Sequence, residues 1–300
     1  MKRTLAIVVT YNRKEMLYEN LVALFGQSFE DFDVLVVDNA STDGTRDVVA
    51  EFEEEQAGLF YHNMGENTGG AGGFAYGVRY ACEKGYDFCW LMDDDTIPAK
   101  EAFASLCRKA NRLKGEFAFI GSMVKWTDGS PAVMNMMDVR KDWYKKEKYI
   151  KEGLVPVAWG SFVSLFIKTD MVKKYGLPIE EFFIYGDDVE YTERLAAEAT
   201  GYIDLDSIVI HKTKNNKGFD PVEVPSEKIP LCYYDSRNRF YIAKRNGVRG
   251  ICVYAYYQML FMVRIILSDK PDKEERIKAV IKGTIEGLFF NPEIKGVTNG

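Results

Sequence analysis

The sequence predicts an α/β protein with a mostly parallel sheet flanked by helices and a helical C-terminal extension. Three observations predict it. Strand and helix signals alternate through the first 95 residues, the strands are continuous apolar runs, and a basic, aromatic segment follows the Pro-containing stretch that ends at Pro230.

Residues 5–9 form a β-branched run that reads as a buried strand, and residues 13–25 place Leu17, Leu21 and Leu24 at helical spacing. Residues 33–37 repeat the strand signal and 42–54 the helix. A short third strand over 59–62, a third helix over 73–84 and a fourth strand over 88–92 complete the pattern. The middle is less regular. It offers a strand over 117–124, a loop over 127–131, an apolar stretch over 157–167, a helix opened by residues 182–191 and running to 199, and an apolar alternation ending at His211. Residues 215–230 read as a loop. The predicted division is therefore 1–230, in halves 1–115 and 116–230, with 231–300 as the extension.

Three hundred residues with 47% hydrophobic and 28% charged content indicate a soluble globular chain with a sizeable core. The net charge of −6 argues against a nucleic-acid-coating protein. That average conceals a split, because residues 231–300 carry 12 Lys or Arg against 7 Asp or Glu. Within them, residues 251–263 contain one polar side chain, Gln258, in a run shorter than the ~20 residues that span a bilayer. Two readings stand: a buried core helix, or a helix in the membrane interface. Tyr233, Arg237, Phe240, Tyr241 and Lys244 share one helical face that suits packing on the body or on a partner subunit. The five cysteines form no CxxC and the N-terminal apolar run is too short for a signal-peptide core, so a reducing, cytoplasmic location is expected.

In open parallel sheets, ligands bind beyond the carboxyl ends of the strands. Here those ends are polar: Thr10, Tyr11, Asn12 and Arg13 after the first strand, Asp38 after the second, Asn67, Gly69 and Gly70 after the third, and Asp93, Asp94 and Asp95 after the fourth. Three adjacent carboxylates repel one another and are tolerated where a cation offsets them. With alternate residues pointing the same way, Asp93 and Asp95 suit one hard ion such as Mg²⁺ or Mn²⁺, and His211, at a strand end, is a candidate further ligand. The competing reading of the triplet is a solvated turn before a helix near Pro98. The glycine-rich segment can be forced into a dinucleotide fingerprint (Gly70, Gly72, Ala75), which leaves a nicotinamide or flavin oxidoreductase as the runner-up, although that fingerprint normally opens the first βαβ unit. A second acidic cluster, Asp187 and Asp188, opens a helix. One of them could serve as a general base; Asp187 with Glu190 approximates a capping box, so only one aspartate is expected to be free for chemistry.

Taken together, the segments TYNR, VVDNASTDGT, ENTGGAGGF, LMDDDT and GDDVEY, followed by His211, resemble the inverting family-2 glycosyltransferases of the Rossmann-like GT-A fold over residues 4–211. With the run from Tyr233 to Arg239, the sequence is most similar to bacterial galactofuranosyl- and rhamnosyltransferases of surface polysaccharides. The resemblance implies a nucleotide-sugar-binding half over 1–115 and an acceptor half over 116–230. It implies that Thr10, Tyr11, Asn12, Arg13 and Asp38 line the nucleotide pocket, that Asn67, Gly69, Gly70 and Asp94 border the donor, and that Asp93, Asp95 and His211 hold Mn²⁺ or Mg²⁺. Asp188 becomes the base, with Trp159 and Asp187 on the acceptor side. The implied donors are UDP-hexoses, UDP-galactofuranose foremost, or dTDP-rhamnose, and the implied acceptor is a glycan or lipid-linked glycan. The large extra domains of the polymerising relatives are missing, so transfer of a single sugar is expected. A catalytically silent sugar-nucleotide binder remains the non-enzymatic alternative.

Overall fold

A computed structural model describes residues 3–297. The first half is built from β1 (Thr4–Thr10), α1 (Lys14–Phe25), β2 (Asp33–Asp38), α2 (Thr45–Glu55), β3 (Leu59–Asn63), α3 (Gly69–Glu83), β4 (Phe88–Asp93), β5 (Thr96–Pro98) and α4 (Ala102–Arg112). The middle adds β6 (Phe119–Lys125), α5 (Glu147–Ile150), β7 (Leu154–Val157), β8 (Leu165–Lys168), α6 (Thr169–Tyr175), α7 (Asp187–Ala196) and β9 (Gly201–His211). Helices α8 (Leu231–Arg245), α9 (Gly247–Leu267) and α10 (Lys273–Phe289) follow.

One sheet runs β3-β2-β1-β4-β8-β6-β9-β5, with β7 also paired to β9. Strands β1 to β4 are mutually parallel, whereas β8 lies antiparallel to β4 and β6. Register aligns the polar strand ends, with Thr10 opposite Asp38, Asp38 opposite Asn63, and Val9 opposite Asp93. Period-two alternation sends Leu5, Ile7 and Val9 into the core on one face and Ala6 and Val8 into the core on the other, so both faces are covered.

Several boundaries differ from expectation for identifiable reasons. Helix α3 begins at Gly69 rather than at residue 73, so the glycine-rich segment is its first turn. The helix lies close on the sheet there, since a Cβ on Gly73 would sit 2.6 Å from Val9 Cγ1. The expected helix near Pro98 is instead β5, paired with β9, and α4 starts only at Ala102. The apolar stretch 157–167 divides between β7 and β8, joined by the turn that carries Trp159.

The C-terminal helices are fastened to the body. Glu190 on α7 is 1% exposed and pairs with Arg194, Nη2 to Oε2 at 3.0 Å, while Arg245 from α8 reaches its other oxygen. Removing the carboxylate strands a buried guanidinium, so Glu190→Ala is expected to lower stability by about 3–5 kcal/mol. Urea unfolding followed by circular dichroism measures this. Of the two readings for 251–263, the core helix is not what the chain builds. The helix extends over 21 residues, longer than the apolar run, and only 17% of its most apolar window is buried.

Candidate active site

The four aligned strand ends meet the N-terminus of α7 and the inner faces of α8 and α9 around a cavity of about 1360 Å³. Of the residues singled out by sequence, Arg13, Gly70, Asp93, Asp95, Trp159, Asp187, Asp188 and His211 line it. Thr10, Tyr11, Asn12, Asp38, Asn67, Gly69 and Asp94 do not.

The latter group builds the rim and floor. Asn12 accepts the Thr42 N–H at 2.7 Å and donates its own N–H to Ser41 Oγ at 2.8 Å, tying the β1 end to the β2 end. Asp38, 1% exposed, accepts from the Tyr61 hydroxyl at 2.6 Å and from the Ser41 N–H. Asn67 accepts the Gly69 N–H. Asp94 is locked by the Thr10 hydroxyl at 2.8 Å and by Arg13 at 3.2 Å, and it lies under the cavity as an anchor for that arginine. Tyr11 is exposed at the rim.

Asp93, Asp95 and His211 present ligand atoms that all lie within 4.8 Å of one another. Pairing of β5 with β9 brings His211 opposite Thr96 and so beside the triplet. His211 Nδ1 sits 2.9 Å from Asn135 Oδ1. Donation of the Nδ1 proton to that carbonyl leaves Nε2 as a lone pair, 3.2 Å from Asp95 Oδ1. That carboxylate oxygen is buried and accepts no well-aligned hydrogen bond among the described residues. Two acceptors facing each other repel unless a proton or a cation lies between them, so a divalent oxygen- and nitrogen-liganded cation fits these residues.

Without a cation, a proton on His211 balances the pair, as the titration of the cluster reflects. Burial, then the Asp95 charge, pushes Asp93 up to about 7, and burial pushes Asp94 up to about 6 against the pull of Arg13. Burial also opposes ionisation of Asp95, but His211 and Arg13, whose Nη1 lies 2.8 Å away, hold it below the usual carboxylate range. The His211 ring is lowered by burial yet raised overall by Asp95.

Across the cavity, the capping-box reading of Asp187 fails. The N-cap is Gly186 at φ +80°, entered from Tyr185 at +66° and Phe183 at +64°. A chain arriving in the left-handed region cannot offer an extended Asp187 as cap, and Asp187 becomes the first helical residue. Both carboxylates are therefore free of capping. Burial raises Asp187 well above the ordinary value, reinforced by Asp188 and by Asp93. Burial likewise raises Asp188, opposed by the Val189 N–H, donated at 2.7 Å, and by Ser161.

Sequence reasoning gave Asn238 no role in holding this loop and Arg237 only a packing face. Asn238 on α8, fully buried, donates through Nδ2 to the carbonyls of Phe182, Ile184 and Tyr185, each at 2.9 Å, and Arg237 donates to those of Glu181 and Phe182. From the other side the Ala71 N–H binds the Phe183 carbonyl. Gly69 must be glycine here, since its Cβ would lie 2.0 Å from that oxygen. Two non-glycine residues at positive φ are strained, and the clamp holds them. The only signal in the sequence was the polar run from Tyr233 to Arg239 within the helix. Asn238→Ala is expected to lower activity by about tenfold or more, because it releases the loop that positions Asp187 and Asp188 in the cavity. It is also expected to cost about 3 kcal/mol for the orphaned carbonyls. Steady-state kinetics beside a melting curve separates the two effects.

Fold and site together define a GT-A glycosyltransferase, a Rossmann-like sheet with an acidic cluster at its strand ends and a second one facing it. The chain belongs to glycosyl transferase family 2, whose model matches residues 5–171. It is 26% identical over 273 residues to a galactofuranosyltransferase of Mycolicibacterium smegmatis, covering 82% of this chain and 84% of that one. It is 27% identical over 205 residues to the GalNAc(5)-diNAcBac-PP-undecaprenol β-1,3-glucosyltransferase of Campylobacter jejuni, covering 68% and 62%. Among solved structures, a mannosyltransferase of Pyrobaculum calidifontis in complex with GDP-Man and Mn²⁺ superposes with a TM-score of 0.57 at 16% identity, over 96% of this chain and 87% of that one. The oxidoreductase reading is thereby set aside. Gly70 and Gly72, which prompted it, lie in the first turn of α3, and their neighbours Gly73 and Gly69 allow its close approach to β1 and to the Phe183 loop.

Proposed function

We propose that the protein transfers a single hexosyl residue, galactofuranosyl by preference, from a nucleoside-diphosphate sugar to a glycan or lipid-linked glycan, inverting the anomeric carbon. One observation carries this reading: the Asp93, Asp95, His211 cluster and the Asp187, Asp188 pair line the same cavity, whose volume exceeds that of most single-ligand sites. Such room suits a donor and an acceptor together.

Mn²⁺ or Mg²⁺ held by Asp93, Asp95 and His211 would supply stabilisation for the negative charge that develops on the departing diphosphate. Arg13, fixed by Asp94 and Asp95, presents a cation at the same mouth. Asp188 receives the proton of the acceptor hydroxyl as that oxygen attacks the anomeric carbon, and its raised pKa makes it a stronger base than an ordinary carboxylate. Trp159 and Asp187 flank the acceptor. The Thr10 to Arg13 segment, Asp38, Asn67, Gly69 and Gly70 form the nucleotide-sugar side.

The similarity to a galactofuranosyltransferase over most of both chains supports that donor, and the similarity to an undecaprenol-diphosphate-dependent glucosyltransferase supports a lipid-linked acceptor. Such an acceptor would place the protein at the cytoplasmic face of a membrane. A panel of UDP-galactofuranose, other UDP-hexoses and dTDP-rhamnose, scored for nucleoside diphosphate release, tests the donor. NMR of the product then reads its anomeric configuration. Release from dTDP-rhamnose alone would move the assignment to a rhamnosyltransferase, and retention of configuration would overturn the direct displacement.

A further inference from the structure

Helix α9 has two faces with different surroundings. Arg249, Val253, Tyr257 and Phe261, four residues apart, line the catalytic cavity together with Asp95 and Asp188. Tyr254 and Ile265 are buried beside that stripe, the Tyr254 hydroxyl donating to the Ser236 carbonyl of α8 at 3.0 Å. The opposite side carries Val248, Cys252, Met259, Val263 and Ile266, all exposed; Met259 is 57% and Val263 46% accessible. Helix α10 adds Ile281, Ile285, Leu288 and Phe289, also exposed and at helical spacing.

We infer that the outer face of α9 docks in the interfacial layer of an anionic bilayer and that its inner face walls the passage by which a polyprenyl-diphosphate-linked acceptor reaches Asp188. The inference rests on the proposed lipid-linked acceptor and adds where and how that acceptor enters. Three observations select a bilayer over other occupants. The charge is complementary: the segment that bears the apolar face has the basic excess while the rest of the chain is acidic. The helix cannot cross a membrane while its other side packs on α8 and lines the catalytic cavity, so its 21 apolar-rich residues lie along the surface. The docking face is continuous, through one helix, with the catalytic cavity, so an acceptor whose lipid tail stays in the membrane has its diphosphate and sugars directed inward along Arg249 and Tyr257.

The test uses the full chain and the variant Met259→Glu/Val263→Glu, in which both changes fall on exposed positions outside the cavity. Sedimentation with vesicles of 30% phosphatidylglycerol is expected to capture the wild type, with weaker capture by phosphatidylcholine alone and by anionic vesicles in high salt. The variant is expected to lose vesicle affinity by about tenfold or more, since two carboxylates enter an apolar, anionic interface. Transfer to a polyprenyl-diphosphate acceptor in vesicles falls with it, whereas transfer to a short-chain soluble acceptor and release of nucleoside diphosphate by hydrolysis stay within about twofold. Absence of wild-type binding to anionic vesicles overturns the inference. So does equal binding by the variant, or a light-scattering result in which the wild type is a stable dimer and the variant a monomer. Vesicle capture is read without turnover, so failure of the donor assignment leaves this outcome separately legible.

Discussion

Asp188→Asn lowers transfer by about 10²- to 10⁴-fold, the range for loss of a positioned general base, while nucleotide-sugar affinity is unchanged. The amide preserves the volume and one acceptor oxygen for the Val189 N–H, so the loop keeps its shape and the loss lies in proton acceptance. The pH profile supplies a second readout. A base must be ionised, and burial raises the Asp188 pKa, so the acid limb of kcat/KM lies above the usual carboxylate range. Activity falls as the pH drops through that limb, and the variant lacks it. Isothermal calorimetry with donor and stopped-time product analysis carry out the comparison. Turnover of Asp188→Asn near the wild-type level sinks the assignment and moves the base to Asp187, the other carboxylate at the helix start.

Asp95→Ala abolishes the dependence of donor binding on divalent metal and lowers transfer by about 10²- to 10³-fold, the order attached to losing one preorganised stabiliser of developing charge. Asp95 is the ligand tied to the rest of the mouth: its Oδ1 faces His211 and its Oδ2 holds Arg13. The same substitution leaves Arg13 with Asp94 as its partner, so the fold is retained and a melting curve checks it. In the native protein, EDTA weakens nucleotide-sugar binding and Mn²⁺ restores it. Calorimetry that returns equal affinities in EDTA and in Mn²⁺ refutes the metal site.

Much of this site was legible as residue types at the ends of strands. The triplet Asp93 to Asp95 stood out because mutual repulsion at the mouth of a buried strand demands an offsetting charge, and the structure supplies Arg13 and His211. Asp187 and Asp188 were visible because an apolar run ends in Gly and two aspartates at a helix start. Reading Asp187 as a cap failed because capping depends on the φ of the preceding residues, and the positive φ of Tyr185 and Gly186 is imposed by contacts from α8 and α3. Asn135 and Asn238 were not legible as functional groups. A lone asparagine has no distinguishing local pattern, and its importance comes from what lies opposite it.

Segment by segment, the sequence by itself determined the order of the first four strands and the helices between them, the polar strand ends, the two acidic clusters and the basic, apolar character of the C-terminal helices. These follow from spacing and composition over a few residues, where hydrophobic period and charge repulsion act locally. Only the tertiary structure decided that His211 faces Asp93 and Asp95, that Asn238 clamps the loop before Asp187 and Asp188, and that α9 turns one side to the cavity and the other outward. Those relations join residues from tens to more than a hundred positions apart. They depend on strand pairing and helix packing, whose energies are summed over the whole fold and carry no signature in any short stretch of chain.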